Sequence, residues 1–448
     1  MKKLVFLFSL VTLITNAQFK VKGTMKPVGK NTWALLYKIE GAKEIFIKNS
    51  EITKKGNTGF FEFDLSDNDG IGMYRIKYNL QQKGSLDFLF NKENITFSFD
   101  PTQIDNTVAF QESRENQLYR DFLYNLSFAQ YKLDSIQIAY LKNSSKDKAI
   151  AYNKALQNLE EIQENALLQA TGSLASNFIK ATDRYNSPTV AKSSNDYMIG
   201  VISHFYDNID FDNNALYNSP FLVDRIADYV FYMHHTEDPN KQNLLYEKAC
   251  NESIDKIDDI KFKRDVIEFL IAQFATLKNT EMVSYLFNKY YDNLPVNLQN
   301  KEFKKEILAS LATAIGNLAP DFSWSENGVN KSLHTLNDGE NYLLFFYSTG
   351  CYHCLNEIPK VFELLKDNNQ IKVIAFAIEE DATGWNNFKE TYPDWHNVLG
   401  LGKWENKVSR TYQINSTPTY FILDENKIIM SNPYGLEDLK KILTNLKK

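Results

Sequence analysis

Two of the three cysteines in the chain, Cys351 and Cys354, stand three residues apart in the segment FFYSTGCYHCLNEIP. An apolar run that predicts a strand precedes them, and an amphipathic pattern that predicts a helix follows. A cysteine at the start of a helix faces free N–H groups and the positive end of the helix dipole, which stabilise its thiolate. We therefore predict that Cys351 is a nucleophile and that Cys354, one turn further on, is its resolving thiol.

A cysteine pair of this spacing has two other uses, a metal site and a structural disulfide. A zinc site takes about four ligands, and the remaining cysteine, Cys250, is isolated in a helical pattern, where a small buried apolar residue is expected. A disulfide between residues this close in sequence closes a loop too small to add much stability. The favoured interpretation is a redox-active Cys351–Cys354 disulfide that needs neither metal nor cofactor.

The composition indicates a folded protein with more than one domain. The chain has 448 residues, of which 43% are hydrophobic and 14% aromatic, and its length suggests about three domains. The formal net charge of −6 argues against a nucleic-acid-binding function.

Residues 1–17 have the pattern of a secretory signal peptide. Lys2 and Lys3 precede a short, mostly apolar segment from Leu4 to Ile14, and the following TNA tripeptide offers small residues for cleavage. The apolar segment is too short to span a bilayer, and no cysteine follows it as a lipoprotein would require. We predict a protein exported to the periplasm or cell envelope, not lipidated and with no integral membrane segment after cleavage, in a compartment where thiols tend to be oxidised.

The spacing of apolar residues divides the rest of the chain into three regions. Residues 18–108 alternate apolar and polar side chains between turn signals, which predicts a β-sandwich-like antiparallel β domain. Residues 109–315 repeat apolar residues at steps of three and four, which predicts an α-helical domain. Residues 316–448 alternate strand and helix patterns, which predicts an α/β domain whose sheet has an antiparallel edge.

The last region resembles the exported thioredoxin-fold thiol–disulfide oxidoreductases of the TlpA/ResA-like family, in particular the Bacteroidetes type with N-terminal accessory regions. The resemblance rests on the APDF sequence at Ala319–Phe322, the strand YLLFFYS before CYHC, and Thr417-Pro418 before TYFILD. It covers less than a third of the chain. It implies a thioredoxin fold that reduces disulfide-bearing protein substrates, with a membrane thiol reductant as electron donor.

The resemblance also implies roles for individual residues. Glu357 corresponds to a family glutamate that takes and returns the proton of the second cysteine, here Cys354. Pro418 corresponds to the family's cis-proline. Thr417 and Pro418, together with Tyr352, are implied as substrate-binding residues, and the backbone of Thr417 is expected to pair with the substrate chain.

Two residues of the active-site segment depart from the family pattern. His353 replaces a common proline and, as a cation, is expected to favour the thiolate and so tune the redox potential. Gly350 stands where the family usually has an aromatic residue, which removes an apolar wall for partners.

Two other functions stay open at the level of sequence. Ser348 stands three residues before Cys351, as in the peroxidatic loop of peroxiredoxins, although Leu344 replaces that family's proline and a resolving cysteine three residues on is atypical. A peroxiredoxin-like peroxidase is therefore one alternative. The other is a binding protein, in which the β and helical regions bind a partner and the redox state of the thioredoxin-like domain regulates that binding.

Overall fold

The structure, a computed structural model, describes residues 18–80, 84–366, 368 and 370–446. The predicted signal peptide, residues 1–17, lies outside these described residues. Within the described ranges, no helix combines the length and the apolar character that a membrane crossing requires.

The chain divides into two compact units, one up to Phe269 and one from Leu270 onward. The first unit begins with strands, and the alternation seen in the sequence matches their buried and exposed faces. The strands are β1 (Gln18–Met25), β2 (Trp33–Glu40), β3 (Lys43–Glu51), β4 (Thr53–Lys55), β5 (Thr58–Ser66), β6 (Gly72–Asn79), β7 (Gly84–Phe90), β8 (Ile95–Phe99) and β9 (Ala109–Glu112).

The nine strands form two sheets that share one apolar core. One sheet has the order β4-β5-β1-β8-β9 and the other β3-β2-β6-β7. Pairing is antiparallel except between β1 and β8, which are parallel. The strand β3 departs from the alternating pattern, because its side chains are exposed on both faces for most of its length.

Helices make up the rest of the first unit, as predicted for the central region. Several begin at a serine that caps the first turn: the side chains of Ser113, Ser145 and Ser193 each accept a backbone N–H. The helices are α1 (Ile104–Thr107), α2 (Arg114–Lys142), α3 (Lys146–Gln169), α4 (Ala175–Thr182), α5 (Ser194–Ser203), α6 (Asn214–Tyr217), α7 (Phe221–Ala227), α8 (Pro239–Ile254) and α9 (Ile260–Thr276), the last of which runs across the division at Phe269.

The second unit continues with two helices and then an α/β region, so the predicted multi-domain fold class is confirmed. The three domain boundaries drawn from the sequence stay a prediction. The elements are α10 (Thr280–Lys289), α11 (Lys301–Leu311), β10 (Ser323–Glu326), β11 (Val329–Ser332), β12 (Asn341–Tyr347), α12 (Tyr352–Leu365), β13 (Ile371–Glu379), α13 (Thr383–Thr391), β14 (His396–Leu401), α14 (Lys407–Thr411), β15 (Thr419–Asp424), β16 (Ile429–Ser431) and α15 (Leu436–Leu446).

The sheet of the α/β region has the order β14-β13-β12-β15-β16. β12, β13 and β14 are parallel, while β15 and β16 form the predicted antiparallel edge. Side chains alternate along β12, so Phe345 packs in one core with residues of α12 and α15, and Phe346 packs in a second core on the opposite face. The carboxyl ends of β12 and β13 therefore meet at the same edge of the sheet, where α12 begins.

Candidate active site

Cys351 lies in the turn between β12 and α12 and is the N-cap residue of that helix. Its backbone N–H donates to the carbonyl oxygen of Ser348 at 3.1 Å, which fixes the turn. Its Sγ accepts a hydrogen bond from the backbone N–H of Cys354 at 3.2 Å. The sulfur therefore takes the place that a serine or aspartate oxygen holds in an ordinary N-cap, next to the N–H groups that have no partner within the helix.

The two thiols of the pair differ in burial and in acidity. Cys351 is half-buried, and burial works to raise its pKa. Hydrogen bonds from the Cys354 thiol and from the backbone N–H groups of Cys354 and His353 outweigh that effect and hold the pKa of Cys351 below its ordinary value. Cys354 is fully buried, and burial, together with its hydrogen bond to Cys351, raises its pKa to about 12. Both cysteines are free thiols in the structure.

The loop before β15 lies against Cys351. The Thr417–Pro418 peptide bond is cis, as the resemblance implies, and the Cys351 thiol donates to the carbonyl oxygen of Thr417 at 3.2 Å. Thr417 and Pro418 are half-buried. The two segments that the sequence singled out are therefore neighbours.

The structure shows which side chain binds Glu357. Its carboxylate is half-buried and accepts a hydrogen bond from the hydroxyl of Tyr420 at 2.8 Å. No hydrogen bond joins Glu357 and Cys354 among the described residues. Tyr420 is buried in β15, and its pKa is raised by burial, by its hydrogen bond to Glu357 and by the nearby charges of Glu357, Cys354 and Cys351. Tyr420 thus binds the glutamate and shares an apolar core with the two cysteines.

A buried carboxylate holds the turn in front of Cys351. Glu379, the last residue of β13, accepts hydrogen bonds from the backbone N–H of Thr349, from the Thr349 hydroxyl at 2.9 Å and from the Ser348 hydroxyl at 3.4 Å. Tyr347, the last residue of β12, is also buried. Burial raises the pKa of Tyr347, and the nearby charges of Glu379 and Cys354 add to that effect.

The remaining predicted residues are exposed. Tyr352 is 75% exposed, and the ring of His353, also exposed, packs edge-on against it at 5.9 Å between centroids. A Cβ at Gly350 would meet only the Ser348 hydroxyl, at 3.7 Å, so the turn has open space where the family usually places an aromatic ring.

Residues 315–431 match the AhpC/TSA family. ResA of Geobacillus thermodenitrificans, named a thiol-disulfide oxidoreductase, is 27% identical over 143 residues, which are 30% of this chain and 80% of that protein. The thioredoxin-like protein YneN of Bacillus subtilis is 29% identical over 150 residues, 33% of this chain and 84% of that protein. A solved thioredoxin-like protein from Bacteroides caccae is 18% identical and covers 59% of this chain and 98% of its own, with a TM-score of 0.28.

By this family match, the C-terminal region is thioredoxin-like. The family resemblance drawn from the sequence is confirmed, and with it the enzyme class, since named thiol-disulfide oxidoreductases are among the relatives of this domain. The curated relatives match about a third of the chain.

Sequence reasoning assigned no role to three residues of the thioredoxin-like site: Tyr347, Glu379 and Tyr420. Tyr420 had a detectable signal, because it lies two residues after Pro418 on the inward face of a predicted strand. Glu379 ends the strand next to the one that leads to Cys351, and parallel strand ends meet at one edge. Among the residues that the structure describes, no group of three or more His, Cys, Asp or Glu side chains is arranged to hold a metal ion.

Proposed function

We propose that this protein is a periplasmic or cell-envelope thiol–disulfide oxidoreductase that reduces protein disulfides through Cys351 and Cys354. One observation carries the proposal: the pKa of one thiol is lowered, whereas the pKa of the other is raised. The half-buried thiol at the helix N-terminus has a lowered pKa, and the buried one behind it has a pKa raised to about 12. That pairing supplies an attacking thiolate and a protected resolving thiol.

The reaction begins with the thiolate of Cys351. It attacks one sulfur of the substrate disulfide, the S–S bond breaks, and the other substrate sulfur leaves as a thiolate that takes up a proton. Cys354 then loses its proton and attacks Sγ of Cys351, which displaces the second substrate sulfur as a thiolate that is also protonated. Two electrons pass to the substrate and a Cys351–Cys354 disulfide remains. Of the two protons that the products take up, one replaces the proton that Cys354 loses and the other comes from solvent, into which Cys351 had released its own.

The resolving step requires an acceptor for the proton of Cys354. We assign this role to the Tyr420–Glu357 pair, because Tyr420 shares an apolar core with both cysteines and its hydroxyl already donates to Glu357. In this arrangement Glu357 acts through Tyr420 rather than by direct contact with the sulfur.

Substrate docking is assigned to the surface around the exposed side of Cys351. The backbone at Thr417 and Pro418 would pair with the substrate chain, and Tyr352, exposed beside the nucleophile, would contact it. A membrane thiol reductant is the proposed electron donor, because export through the signal pattern of residues 1–17 would place the protein in an oxidising compartment.

The test uses the full chain and its serine variants in an insulin-disulfide reduction assay with dithiothreitol as reductant. Cys351→Ser should abolish catalysis, and Cys354→Ser should stop at a mixed disulfide that mass spectrometry finds on Cys351. Cys250→Ser is the matched control: Cys250 is fully buried in the first unit, and this variant should keep the activity. Full activity in Cys351→Ser would refute the proposal. Fractionation of the native host tests the location, and recovery from the cytosol alone would refute export.

A second candidate, a peroxidase, is favoured by the match to the AhpC/TSA family. The hydroxyl of Ser348, the residue that suggested a peroxidatic loop, donates instead to Glu379. Peroxide consumption coupled to thiol oxidation distinguishes the candidates. A peroxidase would consume hydrogen peroxide catalytically with little reduction of insulin, whereas a redox-regulated binding protein would catalyse neither reaction.

A further inference from the structure

A cleft of about 750 Å³ opens at one edge of the β-sandwich in the first unit. Five consecutive residues of β7, from Ser85 to Leu89, line one side of it. β7 is the edge strand of its sheet, so only one of its two sides is paired, with β6. The cleft is therefore bounded by a strand whose second side is open to a hydrogen-bonding partner.

The backbone of β7 shows which of its groups face the cleft. A side chain of α2, Asn116, donates to the carbonyl oxygen of Leu89 and accepts from its N–H, both at 2.7 Å. Asn116 thus makes the two hydrogen bonds that a residue of a neighbouring strand would make with Leu89. Because backbone groups alternate in direction along an antiparallel pair, the N–H and C=O of Asp87 point the same way as those of Leu89. They have no backbone partner among the described residues.

Apolar side chains make up a large part of the cleft lining. Tyr124 and Phe128 of α2 line the cleft, are each 61% exposed, and pack edge-to-face at 5.0 Å between ring centroids. Val108, just before the edge strand β9 of the other sheet, and Phe110 within it add to the apolar lining. Aromatic rings left exposed beside a free strand edge would be buried by side chains of an added strand.

The charges of the cleft favour a basic side chain in its occupant. Asp87 is neutralised by Arg75, which pairs with both of its carboxylate oxygens at 2.6 Å. Asp224 of α7 also lines the cleft. It forms no direct ion pair among the described residues, although burial raises its pKa and the charge of Arg75 works against that effect. Arg120 lines the cleft as well. Asp224 is therefore the carboxylate available to a cation brought by a ligand.

We propose that the cleft binds an extended peptide segment of another protein, which adds as a strand to β7 at Asp87, buries an apolar side chain against Tyr124 and Phe128, and places a lysine or arginine next to Asp224. This mode of recognition takes its affinity from main-chain hydrogen bonds and its specificity from the alternate side chains. The occupant is thus an unfolded or tail segment with a basic residue between apolar ones.

The probe is a fluorescein-labelled heptapeptide that alternates valine and threonine around a central lysine, titrated with the full chain and followed by fluorescence anisotropy. Two peptide controls accompany it: one carries N-methyl groups on alternate amides, and the other has glutamate in place of lysine. The structure predicts saturable binding of the first peptide, binding at least about fivefold weaker for the N-methylated one, and weaker binding of the glutamate peptide.

Variants of the chain locate the bound peptide. Asp87→Pro removes the N–H that faces the cleft, and proline is tolerated on an edge strand whose N–H points outward. Asp87→Ala removes the same carboxylate and keeps the N–H, so binding should be at least about fivefold weaker in the proline variant than in the alanine one. Phe128→Ser should weaken binding, and Tyr131→Ser should not, because Tyr131 is exposed on the same helix and does not line the cleft.

Hydrogen exchange, measured on the chain without substitutions, gives a readout that does not depend on whether a variant folds. The amide of Asp87 should exchange more slowly when the lysine peptide is bound. Absence of saturable binding, equal binding of the N-methylated peptide, or unchanged exchange at Asp87 would overturn the proposal. So would self-association of the chain that disappears in Asp87→Pro, since it would assign the edge of β7 to a second copy.

Discussion

The hydroxyl of Tyr420 donates a hydrogen bond to Oε2 of Glu357 at 2.8 Å, which joins the strand behind the cis-proline loop to the active-site helix. The residue that sequence reasoning placed beside Cys354 is therefore bound to a tyrosine that shares an apolar core with both cysteines. A side chain assigned to proton transfer is in this way linked to the loop assigned to substrate docking.

The first prediction concerns this link. Tyr420→Phe should slow the resolving step, the attack of Cys354 on a preformed mixed disulfide, by about tenfold, because a hydrogen bond to a charged group contributes about 1.5–3 kcal/mol. Glu357→Gln should slow the same step. The double variant should be little slower than either single variant, because both changes interrupt the same proton-transfer path. Stopped-flow release of the second substrate thiol measures this step. An unchanged rate in Tyr420→Phe would remove the tyrosine from the proposed path.

The second prediction concerns the pH dependence of thiol reactivity. Only the thiolate reacts with iodoacetamide, and its fraction rises as the pH passes the pKa of the thiol. Because the pKa of Cys351 is lowered, its alkylation should reach half its maximal rate below the pH of about 8.5 that is typical of a free cysteine. Cys354, with a pKa of about 12, should remain unlabelled at neutral pH.

A pair of variants tests the cause of that shift. The Cys354 thiol is the first of the hydrogen bonds that lower the pKa of Cys351. Cys354→Ala removes this donor and should move the midpoint of Cys351 alkylation to higher pH, whereas Cys354→Ser keeps a hydroxyl donor and should move it less. Peptide mapping reports which cysteine carries the label. Earlier labelling of Cys354 or of the buried Cys250 would reverse the assigned roles.

The third prediction concerns the buried carboxylate that holds the turn. Glu379→Ala removes the acceptor of three hydrogen bonds and leaves the N–H of Thr349 without a partner, which should cost about 2 kcal/mol of local stability. Glu379→Gln keeps one acceptor oxygen and should cost less. Hydrogen exchange at the Thr349 amide should become about 30-fold faster in the alanine variant. Equal exchange in the two variants would show that the carboxylate does not hold the turn.

Local patterns were sufficient to place the cysteine pair. An apolar strand, a turn and an amphipathic helix are encoded within a few residues of Cys351, and the Thr-Pro pair marks its own loop. The supporting contacts could not be predicted in the same way, because Glu379 and Thr349 are 30 residues apart and Tyr420 and Glu357 are 63 apart. Residues this far apart in sequence become neighbours only through the strand order and register of the sheet. The spacing of residues within a single strand or helix does not reveal that order or register.

The fourth prediction concerns the redox potential of the pair. A cationic His353 stabilises the thiolate form and so makes the pair more oxidising, but its side chain is exposed and contacts Tyr352. Exposed charge interactions are worth about 0.2–1 kcal/mol, which for this two-electron couple corresponds to about 5–20 mV. His353→Gln should therefore make the potential more negative by about that amount. His353→Lys, which keeps a cation at the same position, should leave it close to the original value.

Equilibration of the full chain with glutathione buffers measures the potential, with Cys250→Ser as the background so that only Cys351 and Cys354 exchange. The effect of Glu357 should have the opposite sign, because an anion near the pair disfavours the thiolates, so Glu357→Gln should make the pair more oxidising. The backbone N–H of His353, which helps to lower the pKa of Cys351, is retained in every one of these variants. If His353→Gln and His353→Lys shift the potential equally, the side-chain charge has no part in the tuning, and the helix N-terminus alone sets the acidity of Cys351.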